Sequence, residues 1–364
     1  MRLVMMGTGP FAVPTFEALL DSKHAVLALV TRPAVVGPRG RAPANPMREA
    51  AERRGVTVWD PANANDDTFV RQLLTLHAEL LVVCDYGQIL KPPALAAARL
   101  GGINLHGSLL PRYRGAAPVQ WAVYEGDAET GVSVIHMTPL LDGGPVLEVR
   151  RVPIDEAENA AELESRLSRI GVEAVLSAIE TLAGWDGHSE LGQRQDPALA
   201  TKAPRISKQQ GAIDWRLPAL RIRNQIRAFQ PWPGAYTFWL NARGGPLRLA
   251  LQRAAMIHPP GAATLATATV ENPAASPAPD APAPSAPIPD APAHAVPAHA
   301  DSLPVSPGTV VAASGSSLQI ATGAGRLAIE QLQVAGKRSM SVAEFLRGYP
   351  VAVGDQFGDV AESR

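Results

Sequence analysis

Short apolar segments alternate with amphipathic segments through the first half of the chain. The apolar segments RLVMM, AVLALV, LLVVC and INL lack period-2 alternation, whereas FAVPTFEALL and PMREAAERR carry apolar residues at helical spacing. Continuous apolar runs are typical of strands buried on both faces. The pattern therefore predicts an α/β domain with a mostly parallel, doubly wound (Rossmann-like) sheet, and the long amphipathic segment ENAAELESRLSRIGVEAVLSAIETLA is predicted to pack beside it.

The pattern changes after residue 200. Short apolar stretches such as AYTFWL, LRLALQ, GTVVAA, LQIAT and LAIEQLQV are separated by Gly, Pro and Ser, which is typical of a small, OB-like β-barrel. Residues 259–307 are rich in Pro, Ala and Ser and contain no Lys or Arg. Such a segment cannot bury enough apolar surface to offset its ordering entropy, so we predict a disordered insertion within the second domain.

The domain organisation follows from these changes of pattern. A chain of 364 residues is longer than one hydrophobic core usually fills, so two domains are expected. We predict a first domain at 1–188, a linker at 189–204, a second domain at 205–350 interrupted by the insertion, and a tail at 351–364.

Composition and cysteine content place the protein in a broad class. Apolar residues make up 46% and charged residues 18%, as in globular enzymes, and the single cysteine, Cys84, excludes an intramolecular disulfide. The start MRLVMMGTGPF is unlike a signal peptide, and no apolar stretch approaches the roughly 20 residues of a membrane span. We expect a cytoplasmic protein without a membrane partner, and a monomer.

The net charge of -1 hides an asymmetry along the chain. Residues 201–258 carry ten basic side chains and one acid, Asp214, for a net charge of +9, whereas residues 1–200 carry 18 basic and 24 acidic side chains, for a net charge of -6. A cationic domain favours a polyanionic partner, because phosphates are contacted mainly by Lys and Arg. The charge is equally compatible with an ordinary solvated face.

A glycine-rich turn, Gly7-Thr8-Gly9, follows the first predicted strand and imitates a dinucleotide-binding fingerprint. A nicotinamide enzyme places an acid near the end of the second strand, but AVLALV is followed here by Thr31 and Arg32. The glycines are therefore interpreted as allowing a tight turn from strand to helix.

Asn104 and His106 mark the first candidate for chemistry. In the predicted strand INLH they alternate with Ile103 and Leu105, so the amide and the imidazole share one side of the strand at its end. A lone histidine is more often a satisfied core residue than a catalytic one. The adjacent asparagine and the loop that follows favour a functional site.

Asp142 lies in a predicted turn between two strands, followed by Gly143 and Gly144. Asp-Gly is common in turns, so Asp142 could have only a local role. Placed beside Asn104 and His106, its carboxylate would complete an acyl-transfer site in which the amide and imidazole stabilise an oxyanion and the carboxylate orients the imidazole or aids proton transfer. Such a site requires neither a metal nor a covalent nucleophile, and Cys84 is interpreted as a core residue.

These motifs resemble a known family. Asn104-Leu105-His106, the loop Ser108-Leu109-Leu110-Pro111 and Asp142-Gly143-Gly144 are similar to the signature of the formyltransferases that use formyltetrahydrofolate. The resemblance implies 10-formyltetrahydrofolate as co-substrate and Asn104, His106 and Asp142 as catalytic residues. It also implies folate contacts from Ser108, Leu109, Leu110, Pro111, Tyr86, Gly87 and Ile89. Asp85 departs from the pattern, because the family usually has a small residue there.

Other motifs bear on the acceptor of the formyl group. Tyr113-Arg114-Gly115-Ala116-Ala117-Pro118, Ile213-Asp214-Trp215, the segment IRAFQPWPGA at 226–235 and QVAGKRSM at 333–340 resemble the branch that acts on methionyl initiator tRNA in translation initiation. The loop TRPAVVGPRGRAPANP resembles that branch's basic loop at the acceptor stem. The tRNA-binding residues implied are Arg39, Arg41, Lys208, Arg221, Arg223 and Arg227.

Three alternatives to this function are considered. A formyltransferase acting on an amino sugar nucleotide also has two domains, but it does not require a +9 segment. A non-catalytic RNA-binding protein is disfavoured because Asn104, His106 and Asp142 are all present. A formyltetrahydrofolate hydrolase would keep these three residues but would have no use for a basic barrel.

Overall fold

The computed structural model describes residues 1–34, 44–257 and 305–359. The elements of the first domain are, in chain order, β1 Arg2–Met6, α1 Val13–Leu20, β2 Ala25–Val30, α2 Pro46–Arg53, β3 Val58–Trp59, α3 Asp67–Leu74, β4 Leu80–Val83, α4 Pro92–Leu95, β5 Gly102–His106, β6 Arg114–Gly115, α5 Pro118–Glu125, β7 Glu129–His136, β8 Val146–Pro153 and α6 Ala160–Ala183.

The first sheet has seven strands in the order β3-β2-β1-β4-β5-β7-β8. Strands β1 to β5 run parallel to one another, and β7 is antiparallel to both β5 and β8. The prediction of a mostly parallel sheet is confirmed. Its central strands are buried along their whole length, as β4 shows with all four residues buried, which explains their unbroken apolar sequences.

The long helix α6 covers one face of this sheet, as predicted. Asn159 caps its first turn by accepting hydrogen bonds from the Ala161 and Glu162 amides, and the Glu162 carboxylate accepts one in return from the Asn159 amide. Its apolar side packs into the same core as β1 and β5. Glu164 follows the buried Ala160 by one helical turn and lines a cavity beside the sheet.

The second domain is built mainly from antiparallel strands. Its elements are β9 Lys202–Ala203, α7 Ala219–Ala228, β10 Ala235–Trp239, β11 Leu247–Ile257, β12 Val310–Ser314, β13 Ser317–Ala321, β14 Arg326–Val334, β15 Ser339–Ser341, α8 Val342–Gly348 and β16 Phe357–Gly358. The five strands predicted from apolar stretches are confirmed as β10 to β14. Helices α7 and α8 were not predicted.

The second sheet has the order β12-β13-β14-β11-β10-β16, with β15 beside β14. It curls so that its two outer strands meet: the Val310 amide donates to the Asp355 carbonyl at 2.8 Å, and the Phe357 amide donates to the Gly308 carbonyl at 2.8 Å. The result is the predicted barrel-like domain around its own apolar core. The predicted insertion falls, up to residue 304, outside the described residues.

The chain returns to the first domain before it enters the barrel. Strand β9 pairs in parallel with β6, with Arg114 opposite Lys202 and Gly115 opposite Ala203. Helix α7 then packs on α5, where the Phe229 ring stacks on Tyr124 with centroids 5.1 Å apart. Phe229 belongs to the core of the first domain, so the two domains share an apolar contact.

Candidate active site

A cavity of about 630 Å³ opens where β4 and β5 end. Val83 at the end of β4 and His106 at the end of β5 both line it. Ligands of open α/β sheets bind at the carboxyl ends of the strands, and a cavity of this size suits a cofactor-sized molecule. The candidate site predicted from the end of the fifth strand therefore coincides with this cavity.

Asn104, His106 and Asp142 all line the cavity. Asn104 and His106 are two residues apart on β5 and reach it from the same side of the strand, as strand alternation predicts. Asp142 comes from the turn between β7 and β8. Because β7 lies beside β5 in the sheet, that turn is brought next to the end of β5.

The imidazole of His106 is buried and held by the backbone. Its Nε2 lies 2.8 Å from the carbonyl oxygen of Tyr113, which accepts a hydrogen bond from the ring. Tyr113 adopts the left-handed conformation, with φ of 61°, and its hydroxyl donates to the Asp127 carboxylate at 2.8 Å. With the proton of Nε2 committed to Tyr113, Nδ1 is the ring nitrogen available for chemistry.

Asp142 faces that second nitrogen. Its Oδ2 lies 3.9 Å from His106 Nδ1 and accepts a hydrogen bond from the Gly115 amide at 2.9 Å. A side chain at position 115 is excluded, because a Cβ there would lie 2.5 Å from the Ala203 carbonyl oxygen of β9. Glycine at this position thus allows β9 to approach while the amide binds the carboxylate.

The three side chains can perform acyl transfer. The Asn104 side chain makes no hydrogen bond within the described part of the chain, so its amide is available to a ligand in the cavity. An amide N–H and an imidazole N–H aimed at one point can stabilise an oxyanion, and the nearby carboxylate stabilises the imidazolium. Asp142 is thus both a turn residue, with φ of 49°, and a member of the site.

Tyr86, Gly87 and Ile89, predicted to flank the folate, also line the cavity. Ile89 is 63% exposed and presents an apolar surface at the cavity wall. The hydroxyl of Tyr86 is buried without a hydrogen-bond partner in the described structure, and burial raises the pKa of Tyr86 to about 12. The phenol is therefore neutral throughout the physiological range.

Ser108, Leu109, Leu110 and Pro111, which were predicted to contact the folate, are not among the residues that line the cavity. The loop is instead held against β7: the Ser133 hydroxyl donates to the Ser108 carbonyl at 2.8 Å and accepts from the Leu110 amide at 3.1 Å. These bonds fix the loop to β7. Ser133 lies opposite His106 in the β5–β7 ladder, and no local pattern around it indicates this role.

Two further carboxyl groups, Asp85 and Glu164, line the cavity. The Asp85 side chain is exposed at the cavity wall, but the protein atoms around it desolvate its carboxyl and raise its pKa to about 6, and the charge of Glu164 adds to the effect. Burial also raises the pKa of Glu164, although Gln120 donates to its carboxylate at 3.3 Å. The Asp85 carboxylate occupies the position that a Cβ on Gly9 would take, which places negative charge over the glycine-rich turn and opposes phosphate binding there.

Arg205 lines the same cavity, although it was counted only within the basic segment. It is exposed, as are Lys202 and Lys208 on either side of it in the chain. Within the described residues, none of these three side chains takes part in an ion pair. They place positive charge beside the opening of the site, where Lys208 was predicted to contact tRNA.

Arg221, Arg223 and Arg227, which were predicted to bind tRNA, all contact the first domain. Arg221 donates two hydrogen bonds of 2.9 Å to the Glu125 carboxylate and lies 3.8 Å above the Tyr124 ring. Arg223 donates to the Glu156 carbonyl at 2.6 Å. We call these three residues the α7 clamp.

Arg227 binds three backbone carbonyls of the first domain. Its guanidinium donates to the carbonyls of Asp155, Glu156 and Glu158 at 2.8, 3.2 and 3.1 Å. Burial lowers the pKa of Arg227, and the neighbouring Arg223 adds to this effect. A guanidinium with these acceptors joins the domains and is not available to a phosphate.

Several other predicted features can be located. Cys84 is fully buried, and burial raises the pKa of its thiol well above the usual range, which confirms its interpretation as a core residue. Arg39 and Arg41 lie outside the described residues. In residues 1–34, 44–257 and 305–359, no group of three or more His, Cys, Asp and Glu residues could hold a metal ion, and no helix is both long and apolar enough to cross a bilayer.

Comparison with known proteins covers both domains. Residues 1–179 match the formyl transferase family, and residues 205–271 and 277–350 match the formyl transferase C-terminal domain. The methionyl-tRNA formyltransferase of Rhodopirellula baltica is 46% identical over 98% of this chain and 96% of its own length. That of Coxiella burnetii is 35% identical over 96% of both chains.

A solved structure shares the fold at low sequence identity. The N-formyltransferase of Helicobacter canadensis, solved with folinic acid and dTDP-3-aminofucose, has a TM-score of 0.54 at 13% identity and covers 90% of this chain and 98% of its own. The relatives with higher identity extend over both domains and over the cavity between β4, β5 and the β7–β8 turn. The chain therefore belongs to the formyl transferase family, which includes these methionyl-tRNA formyltransferases.

Proposed function

We propose that this protein transfers the formyl group of 10-formyltetrahydrofolate to the amino group of methionine esterified to initiator tRNA, for translation initiation. The observation that carries the proposal is the convergence of Asn104, His106 and Asp142 in one cavity. Support for the acceptor comes from relatives named methionyl-tRNA formyltransferase that match nearly the whole chain.

The contacts of His106 suggest how the reaction proceeds. The methionyl amine attacks the formyl carbon, and Asn104 and the protonated Nδ1 of His106 donate hydrogen bonds to the oxyanion that develops. Asp142, 3.9 Å from Nδ1, stabilises the imidazolium and accepts the proton that the amine loses. The oxyanion then collapses, the bond from the formyl carbon to N10 of the folate breaks, and N10 takes up the proton that Asp142 holds as tetrahydrofolate leaves.

The folate is proposed to lie against Tyr86, Gly87 and Ile89. These residues line one wall of the cavity, and the apolar side chain of Ile89 is suited to contact an aromatic ring system. The loop of Ser108, Leu109, Leu110 and Pro111, which Ser133 fixes to β7, is also proposed to flank the folate.

The acceptor end of the tRNA is proposed to approach past Lys202, Arg205 and Lys208. These exposed cations lie in the chain segment that borders the cavity, and Arg205 is part of its wall. They are suited to contact phosphates near the 3′ end of the tRNA. Arg39 and Arg41 remain proposed contacts on the basis of sequence resemblance alone.

We further propose that residues 1–188 carry catalysis, that 205–350 bind tRNA, and that the protein acts as a monomer in the cytoplasm. The separate apolar cores of the two domains support the division. The single cysteine agrees with a reducing compartment. Sedimentation at several protein concentrations tests the monomer, since a dimer would appear as a concentration-dependent increase in mass.

The decisive experiment is transfer of labelled formyl from 10-formyltetrahydrofolate to methionyl initiator tRNA, with uncharged tRNA and a UDP-amino sugar as competing acceptors. We expect label only on methionyl-tRNA. His106→Ala should abolish the transfer, whereas His188→Ala, which removes an exposed histidine, should not. Label on the sugar, or on none of the acceptors, would contradict the proposed function.

A further inference from the structure

Gln195 bridges two parts of the candidate active site from the linker between the domains. Its Oε1 accepts two hydrogen bonds from the Arg114 guanidinium, at 2.6 and 3.1 Å. Its Nε2 donates to the carbonyl oxygens of Asp142, at 2.7 Å, and Gly144, at 2.8 Å. One side chain thus uses both ends of its amide to join β6 to the turn that carries Asp142.

The turn at Asp142 needs such a support. Asp142 adopts a φ of 49°, a backbone conformation that residues other than glycine rarely adopt. The conformation must therefore be held by its surroundings. Gly144 is equally constrained, because a Cβ there would clash with the His136 carbonyl oxygen. Gln195 is the donor that binds the carbonyls on both sides of Gly143.

The two ends of this bridge act on the same carboxylate. Arg114, held by Gln195, directly precedes Gly115, and the Gly115 amide binds Asp142 Oδ2 at 2.9 Å. Gln195 holds the backbone of Asp142 from the other side. The position of the carboxylate relative to His106 Nδ1 is therefore fixed through both its backbone and its side chain.

We propose that Gln195 is a positioning residue for formyl transfer: it holds the Asp142 carboxylate at its working distance from His106. This inference rests on the proposed function and adds a residue of the linker to the catalytic machinery. Gln195 is not part of the cavity wall, so it acts through Asp142 and not through contact with either substrate. Its loss should therefore lower kcat and leave KM for both substrates nearly unchanged.

Gln195→Glu is the most informative variant. It keeps the size of the side chain and an acceptor for Arg114, but it replaces the N–H donor with an oxygen that faces two carbonyl oxygens. Gln195→Ala removes both halves of the bridge. Gln193→Glu introduces the same charge two residues earlier in the linker, at an exposed position, and serves as the matched control.

We expect kcat to fall by about 10- to 100-fold in Gln195→Glu and Gln195→Ala, with KM for folate and for tRNA within about 3-fold of wild type, because a displacement of about 1 Å at a catalytic group has effects of this size. A kcat equal to that of Gln193→Glu, or a rise in KM with unchanged kcat, would overturn the proposal. If neither variant folds, Arg114→Leu removes the other half of the bridge and should lower kcat in the same way.

Hydrogen exchange separates this inference from the proposed function. The Gly143 amide donates to the Leu140 carbonyl at 3.1 Å within the turn, and its exchange reports whether the turn is held. Should wild type fail to formylate methionyl-tRNA, the proposed function is wrong, but faster exchange at Gly143 in both Gln195 variants would still support the bridge. Unchanged exchange would overturn it.

Discussion

Charged and polar side chains gather in two places, the cavity and the contact between α7 and the first domain, and they are used in opposite ways. In the α7 clamp, Arg227 donates to three carbonyl oxygens and Arg221 binds both oxygens of Glu125. In the cavity, the Asn104 amide has no partner in the described structure, and Nδ1 of His106 has only a carboxylate 3.9 Å away.

The difference shows which polar groups are available to a substrate. A buried polar group with all of its hydrogen bonds made contributes to stability, and a ligand could recruit it only by breaking those bonds. A group that lacks a partner in a cavity costs stability and is free to bind. Substitutions in the cavity should therefore lower the rate of formyl transfer, whereas substitutions in the α7 clamp should lower the stability of the fold.

Among the substitutions that compare these two places, the largest effect is expected for Asn104→Leu in the cavity. Leucine has a similar size but no donor, so kcat should fall by about 100- to 1000-fold, as for other losses of an oxyanion donor. The free energy of unfolding should change by less than about 1 kcal/mol, because no hydrogen bond within the protein is lost. Single-turnover transfer and urea denaturation measure the two quantities. A rate within 5-fold of wild type would mean that Asn104 does not bind the oxyanion.

Arg227→Leu in the α7 clamp should show the reverse. Three carbonyl oxygens lose their donor, so the free energy of unfolding should fall by about 2 to 3 kcal/mol, while kcat of the folded protein stays within a few-fold. Arg243→Leu, at an exposed position of the second domain, is the control for loss of charge. Weaker tRNA binding with an unchanged free energy of unfolding would instead show that Arg227 binds tRNA and does not join the domains.

Arg205→Ala tests the cations that border the cavity. If Arg205 contacts a phosphate, KM for tRNA should rise by about 5-fold. A plot of the logarithm of the binding constant against the logarithm of the salt concentration should also become less steep, by about 1 in slope. Arg71→Ala removes a charge from exposed α3 and should change neither. An unchanged salt slope in Arg205→Ala would show that the tRNA does not approach by this route.

The smallest effect is expected for Asp85→Asn. The ordinary pKa of 3.8 is raised to about 6 in the folded chain, so the folded chain holds this proton more tightly, and its stability falls as pH rises through that window. Removing the charge should stabilise the protein by about 1 kcal/mol at pH 7, allowing for solvent screening at this accessible side chain, and by nothing near pH 3. Denaturation at both pH values measures this. Equal stabilisation at both would exclude the charge as its cause.

The sequence carried enough information to predict the convergence of Asn104, His106 and Asp142. Strand period fixes which side of β5 the first two share, and strand ends in a parallel sheet meet at one edge, so the geometry follows from local pattern. The barrel strands β10 to β14 could likewise be predicted, because each is an apolar stretch between turn residues. Helix α7 was missed because its buried positions include Asn224 and Gln225, which break the apolar periodicity.

Residues that act through contacts distant in sequence could not be predicted. Gln195 and Ser133 lie 53 and 25 residues from the groups that they bind, and nothing in their local sequence distinguishes them. The contacts of the α7 clamp could not be predicted, because net charge gives the amount of positive charge and not the direction in which each side chain points. Whether an arginine on a helix faces a neighbouring domain or the solvent depends on packing, and the net charge of a segment contains no information about packing.

The short parallel ladder of β6 and β9 limits where the second domain can be exchanged for that of a relative. Residues 195–203 are contributed by the segment beyond the first domain, yet Gln195 and Ala203 complete the surroundings of Asp142 and Gly115. A swap of the second domain with the junction at residue 188 would therefore exchange part of the catalytic apparatus along with it. A junction placed after residue 203 would keep Gln195 and Ala203 with the site that they complete, although Arg205 of the cavity wall and Phe229 of the first core would still be exchanged.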